Sequence, residues 1–422
     1  MSNMDVPVLE HIHGRDEMVR FFDGYSADRI EELGGHKLKK GLVKSHLIEL
    51  LDGRRDCPDD ALCDVFARRG VDARPREDGL LLLRGADGTE IGFMERLSSR
   101  ILALYSTLDA KDVCPWVNRV IRQSPELDHV WLSGQTFSVL WRLMVRLSEG
   151  HRFTKLVFTH ERLYDIDLMP DSSDRPDDGD EPVESVDEKV AEIRERRETR
   201  LGVVDRVGII DERLSELRDL YAPFHAISQM RFPSPVGRGG HDFYDNGRVT
   251  NRSESFRDHR AHLLFVVRIY QQLLESTEES TWYSVTEAMG LPGQFHRIVG
   301  APVSIRFQEP GLSQEVFDRW VGSTFTAQGN RFRLWGNPIR LGPTKVHVYG
   351  VDRHLWRPLF LEITAKGCTA IVPKETCGNT VHRLVTNIQR YVDPGCEAYI
   401  GERPYEDIVQ ESAKDIPYDV RS

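Results

Sequence analysis

The sequence predicts two fold classes in succession, an α/β unit and then an α+β unit, and three observations carry that reading. Between residues 100 and 164, strand-like apolar runs alternate with amphipathic helix-like runs, the order of a small parallel sheet with right-handed crossovers. Residues 165–188 (DIDLMPDSSDRPDDGDEPVESVDE) hold eleven acids, one base and three prolines, which is linker composition. From residue 300 the elements are short and joined by tight turns, as in an antiparallel sheet with helices on one face.

Taken in order, residues 1–99 read as a helical segment with a β-hairpin, the element order of a winged helix. Helices are expected over Asp16–Leu33, over Lys37–Leu51 and from Pro58 to Arg69, the last stopped by Gly70. Leu80–Leu83 and Glu90–Phe93 flank an Asp87-Gly88 turn and form the hairpin. The third helix opens with Asp59-Asp60 and carries Asp64, which phosphates repel, so packing is expected of it. Arg54, Arg55, Arg68 and Arg69 nevertheless flank it.

Residues 100–164 supply strands at Ile101–Tyr105, His129–Leu132 and Lys155–Thr159, with helices at Val113–Arg122 and Phe137–Leu147. The strand ends Ser133-Gly134-Gln135 and Thr159-His160-Glu161 are where such sheets bind ligands, but neither carries a nucleotide signature. Ser133-Gly134 is expected to be a helix cap. After the linker, residues 189–299 form a helical region with a Gly-rich loop at 233–251. Val186–Tyr221 is a charged helix without a clean heptad.

Residues 300–405 form the basic α+β segment and 406–422 a tail. Strands are expected at Val303–Phe307, Arg331–Trp335, Lys345–Tyr349, Leu359–Thr364, Thr369–Val372 and Ala398–Ile400. Asn337-Pro338 divides the second of these from the third, and Lys366-Gly367 turns the fourth into the fifth. Helices are expected at Ser313–Val321 and Gly378–Tyr391.

Composition excludes several classes. Apolar residues at 40% and charged residues at 29% describe a globular chain of more than one domain. The longest apolar run, Leu263–Val267, stops at Arg268, far short of the ~18 residues of a membrane span. The N-terminus has no signal-peptide pattern. The six cysteines contain no C-x-x-C pair, which fits a reducing cytoplasm and no zinc ribbon. A cytoplasmic location and no membrane partner are therefore expected.

The net charge of −11 hides an asymmetry. The linker alone carries −10, leaving −1 for the rest, while residues 329–391 carry ten Lys/Arg against three acids. That favours an anionic partner, nucleic acid or another polyanion. The candidate contacts are Arg331, Arg333, Arg340, Lys345, Arg353, Lys374, Arg383 and Arg390, with Gly378 and Asn379 at a helix start. Arg238 and Arg248 of the Gly-rich loop join them. Aromatics interleave this segment (Phe332, Trp335, Tyr349, Trp356, Phe360, Tyr391); stacking on exposed rings would suit single strands, although buried sheet aromatics are commoner.

A second constellation is His241, Asp242, Asp245, His259 and His262, residue types that can hold a divalent metal for a phosphoester hydrolase, possibly a nuclease. Their spacing matches no metal motif. Cys377 sits at a helix start, but His382 is five positions on and faces elsewhere, so a catalytic cysteine is not expected. Asp352…Glu362-Ile363-Thr364 has Thr where a restriction-type nuclease needs Lys, and His11-Ile12-His13 lacks the eight strand–helix repeats of an amidohydrolase barrel. The sequence thus favours a non-catalytic binding or regulatory protein without a cofactor. A metal enters only under the hydrolase alternative, and an assembly scaffold is the third reading, with a second copy of the chain as its candidate partner.

Overall fold

The computed structural model describes residues 9–32, 41–51, 59–148, 150–164, 198–235, 237–287, 296–325 and 331–418. The acidic stretch 165–188 lies outside them, as do Arg54 and Arg55. The fold is mixed α+β, built on two antiparallel sheets with a buried helix between them.

The larger sheet uses β1 (Lys44–Leu50), β2 (Asp72–Pro75), β3 (Leu80–Arg84), β4 (Glu90–Arg96), β5 (Ile101–Ser106), β6 (Leu127–His129), β7 (Phe153–Glu161), β8 (Glu198–Arg206), β9 (Ile227–Pro233), β10 (Gly240–Tyr244) and β11 (Arg248–Asn251). Their order is β2-β3-β4-β5-β1-β11-β10-β9-β7-β8, with β6 beside the C-terminal half of β1. The expected parallel sheet is not there. β5 and β6 both lie antiparallel to β1, one on each side of it, and β7 is flanked by β8 and β9. The local strand–helix alternation is real; the strands that separate its members come from elsewhere in the chain.

β1 corrects the expected helix over Lys37–Leu51 and with it the winged-helix order. Both its faces are covered. Leu47 joins the core formed with α1 (Arg15–Glu32), whereas Ile48 and Leu50 pack with α2 (Asp59–Ala67) and α3 (Ala110–Gln123). A strand buried on both faces loses its period-two signature, and Leu42, Val43, Leu47, Ile48 and Leu51 then imitate a helical stripe.

Helices α4 (Gly134–Leu147), α5 (Val207–Leu220) and α6 (Phe256–Thr281) complete this half. Ser133 and Ser255 cap α4 and α6 by accepting from Thr136 N and Asp258 N. Of the charged helix expected over Val186–Tyr221, residues 186–197 lie outside the described residues and the rest is β8 followed by α5; alternating exposure along residues 199–206 marks an edge strand. The Gly-rich loop 233–251 is mostly the β10–β11 hairpin. Gly239 holds φ +84°, and a Cβ there would lie 2.0 Å from the Arg252 carbonyl oxygen, so its glycine serves a close approach within the chain itself.

After a short hairpin of β12 (Ser284–Glu287) and β13 (His296–Val299), the second sheet runs β15-β16-β17-β18-β14-β19-β20. Its strands are β14 (Val303–Arg306), β15 (Leu334–Gly342), β16 (Lys345–Asp352), β17 (Arg357–Thr364), β18 (Gly367–Ile371), β19 (Glu397–Ile400) and β20 (Arg403–Pro404). Asn337-Pro338 does not interrupt the sheet but lies inside β15, an edge strand where proline is tolerated. Helices α7 (Gln314–Thr324), α8 (Asn379–Tyr391) and α9 (Tyr405–Ala413) belong to this half.

α8 joins the two halves. Twelve of its thirteen residues are buried, seven of them polar or charged. Asn379 donates to the His129 carbonyl oxygen, Asn387 donates to that of Arg331, and Gln389 accepts from Gly134 N. Val381, Leu384, Val385 and Ile388 give α8 an apolar face, and its buried polar face is tolerated because these groups find partners.

Candidate functional site: an arginine pocket over a buried ionic cluster

Two arginines of the basic segment, Arg333 and Arg383, are buried, and most of its other cations pair with carboxylates. Arg383 is fully buried, paired with Asp128 and Asp352, and donates to the Phe332 carbonyl oxygen. Arg333, 7% exposed, pairs with Asp128 and donates to the Leu127 and Ser124 carbonyl oxygens. Burial disfavours ionisation of Asp128, yet Arg383 and Arg333 outweigh it and hold its carboxyl well below the usual range. Arg390 bridges Glu161 and Asp245, and Arg248 lies buried over the Tyr244 ring. At the surface, Arg331 reaches Glu161, Arg340 pairs with Asp318 and Lys345 with Glu362. Lys374 and Arg238 are exposed. The start of α8 is occupied internally: Gly378 N donates to Glu278 Oε1 at 2.9 Å, and Asn379 is fully buried.

Arg353 is placed differently. It lines an open cavity of about 600 Å³ together with Arg68, Arg69, Arg122, Gln123, Pro125 and Trp356. The four arginines come from the end of α2, the end of α3 and the β16–β17 turn. Leu355 N donates to the Pro125 carbonyl oxygen at 3.0 Å, which ties that turn to the α3–β6 loop and closes the cavity on one side. Arg68 pairs with Glu126 across solvent, and Arg69 donates to Ser124 Oγ. Arg122 and Arg353 have no carboxylate partner among the described residues. Leu355 and Trp356 hold left-handed backbone, φ 62° and 52°, an uncommon state for bulky residues.

The turn leads into an exposed aromatic face. Trp335 (53% exposed), Ile339, Leu341, Tyr349 (63%) and Phe360 (36%) stand on the outer side of β15–β17, while Leu334, Val346, Val348, Leu359 and Leu361 fill the core. Tyr349 and Phe360 meet edge to face at 4.9 Å. Of the aromatics in this segment, Phe332 and Tyr391 are buried and the other four are exposed.

Behind the turn lies a second group. Arg353 faces the pocket, and the next residue, His354, is 1% exposed and turned inward. Glu49 of β1, His354 and Cys377 bring one potential ligand atom each within 4.8 Å of one another. Arg100 binds Glu49 at 2.6 Å and Glu278 at 2.8 Å. Burial pushes the Cys377 thiol up, and the Glu49 carboxylate adds to it, opposite to the lowered thiol of a reactive cysteine. His382 Nδ1 is engaged by Tyr405 OH at 2.6 Å.

The residues expected to hold a metal divide. His241, His259 and His262 do meet, in the core between the β10–β11 hairpin and α6, but their carboxylate is Asp258. Asp242 points to the opposite face of β10, where Arg231 and Arg252 hold it, and Asp245 pairs with Arg390. His241 lies 3.0 Å from Asp258 Oδ2 and 3.1 Å from Asn251 Oδ1; His259 lies 2.7 Å from Ser45 Oγ; His262 reaches the Asp258 carbonyl oxygen and Tyr418 OH. Every ring nitrogen here already has a protein partner. Burial pushes His241 down to about 4, against the pull of Asp258. His241→Ala should therefore lower stability by about 2–4 kcal/mol, from a cavity and stranded Asn251 and Asp258 groups. A urea midpoint checks this; an unchanged midpoint would point away from a bracing role.

Sequence reasoning missed Arg122, and it missed Glu49, Asp128 and Glu278, whose partners lie about 50 to over 300 positions away, and Asp258, which joins His241 17 positions before it. Arg68 and Arg69 were visible as a basic pair, but nothing local joins them to Arg353.

Comparison with known proteins adds a region and no activity. A family model described as MJECL33-like protein matches residues 233–409. The "Uncharacterized protein MJECL33" of Methanocaldococcus jannaschii is 26% identical over 152 residues, which is 36% of this chain and 34% of that protein. The chain thus matches about a third of that relative's length. No solved structure matches. The family-matched span runs from β9 to α9 and contains Arg353, His354, Cys377, Arg383 and the buried histidines, whereas Glu49, Arg68, Arg69 and Arg122 precede it.

Proposed function

We propose that this protein is a binding protein for polyanions, single-stranded nucleic acid first among them. Phosphates enter the Arg68–Arg69–Arg122–Arg353 pocket, and bases stack on Trp356 and along the outer face of β15–β17. The observation that carries this reading is the convergence of four arginines from three separate elements on one cavity with a tryptophan at its rim. Guanidinium groups match phosphate oxygens in charge and in fork geometry, and every base has a face on which an exposed ring can stack. The left-handed pair Leu355-Trp356 adds support, since strained backbone concentrates where side chains are held for a ligand.

The hydrolase alternative has less behind it. His241, His259 and His262 are 0% exposed, so substrate would reach them only after rearrangement of the core.

The test is fluorescence anisotropy of a labelled oligothymidylate with the full chain across a salt series. Affinity should fall steeply with salt, and Arg122→Ala or Arg353→Ala should each reduce the log–log slope by about 1. Trp356→Ala should cost about 1–3 kcal/mol of binding with the slope kept. Lys374→Ala, exposed but away from the pocket, should change little. No binding at low salt, or binding indifferent to all three pocket substitutions, overturns the proposal.

A further inference from the structure

The geometry points to a zinc-class divalent metal site formed by Glu49, His354 and Cys377, where the β16–β17 turn meets the larger sheet. It is separate from the arginine pocket and from the histidine core, and it does not depend on the function proposed above.

The three residues are 0%, 1% and 1% exposed. They come from β1, the β16–β17 turn and the segment leading into α8, which only the fold brings together. Carboxylate, imidazole and thiolate are the donor set zinc prefers. With bonds of about 2.0–2.3 Å, tetrahedral donors sit roughly 3.3–3.7 Å apart, so atoms already within 4.8 Å of one another need only a modest contraction.

Three further observations point to a ligand. Neither ring nitrogen of His354 makes a hydrogen bond, although the ring is buried. Such an orphan is costly in a folded interior unless something occupies it. Its Nδ1 lies 3.9 Å from Asp128 Oδ2. Ligation through Nε2 would leave Nδ1–H facing that carboxylate, the usual arrangement behind a metal-bound histidine. Cys377 Sγ sits 3.2 Å from both oxygens of Glu49, while Arg100 Nη2 at 3.2 Å and Asn379 N at 3.3 Å direct N–H groups at it. Two N–H donors suit a metal-bound thiolate.

The charges also balance. Glu49, Glu278 and Arg100 sum to −1 around a neutral thiol. Metal entry adds +2 and releases the Cys377 proton to solvent, which brings the group to zero. Asp128 and Asp352 are separately matched by Arg333 and Arg383. Water or the second Glu49 oxygen completes the coordination. Because His354 adjoins Arg353, the metal would fix the turn that forms one wall of the pocket.

The test titrates reduced, chelator-treated full-length protein with Co²⁺. One equivalent should bind with a thiolate-to-cobalt charge-transfer band and release of about one proton. Cys377→Ser should abolish the band, and His354→Gln should weaken uptake more than about tenfold. Cys114→Ser and Cys396→Ser should retain both. Zinc-loaded wild type, independent of any variant's folding, should show one sulfur at about 2.3 Å by X-ray absorption. No uptake, a sulfur-free metal sphere, or a band that survives in Cys377→Ser overturns the site.

Discussion

Arg383→Met should remove about 3–5 kcal/mol of stability, the cost of leaving a buried charge without its partner. Arg383 is 0% exposed and is the group through which α8 holds both sheets: Asp128 belongs to β6 and Asp352 to β16. The substitution fills the same space but strands Asp352, whose other partners are Thr380 Oγ1 and the His354 amide. Adding Asp352→Leu to Arg383→Met should recover part of the loss, because a missing pair costs less than a broken one. Arg353→Ala, at the surface 30 positions earlier, should stay within about 0.5 kcal/mol of wild type. Urea midpoints of the four proteins decide the matter. An Arg383→Met midpoint equal to that of wild type would show that α8 is not the strut between the sheets.

The second large effect is acid lability. Burial pushes His129 and His241 down to about 4 and His382 to about 3, and it lowers His46 and His259 as well. A histidine whose folded value lies below the unfolded 6.5 binds fewer protons folded than unfolded between those two values, so stability there rises with pH. Its contribution is complete above about pH 6.5 and is lost as the pH falls toward the folded value. For His129 alone the gap corresponds to about 3 kcal/mol. Asp128, Asp242 and Asp258 are held well below the ordinary carboxylate range by their arginine or histidine partners, despite burial, and extend the loss at still lower pH. Urea midpoints in steps from about pH 7.5 to about pH 4.5 should stay level to about pH 6.5 and decline steadily below it. A flat profile across that window would mean these histidines are charged in the folded protein.

Where structure follows from neighbours in the chain, the sequence was sufficient. Ser313 caps α7, Asp87-Gly88 and Lys366-Gly367 turn their hairpins, and α8 begins and ends within a residue of where its pattern places it. The antiparallel C-terminal sheet was legible because its outer face is solvated: Lys345, His347 and Tyr349 alternate with Val346, Val348 and Gly350. β1 was not legible, because burial on both sides erases that alternation. Nor was the parallel sheet avoidable by local reasoning, since the strands between β5, β6 and β7 are chosen by pairing across about 50 to over 200 residues.

The sites divide along the same line. Charge counting identified residues 329–391 as basic, and Arg353 belongs to the pocket, but sequence cannot tell a solvated guanidinium from a buried one. Arg383 and Arg333 spend their charge on Asp128 and Asp352, residues acidic for that purpose, whereas Arg122 and Arg353 keep theirs for solvent. His241, His259 and His262 meet because the hairpin and the start of α6 are adjacent in sequence, whereas Asp242 and Asp245 turn to other partners. Cys377 was noticed alone, but its grouping with Glu49 and His354 is visible only in the fold. The sequence determined which residues were charged, apolar or turn-forming; the tertiary structure decided which charges were desolvated together, because desolvation depends on which strands and helices cover a group.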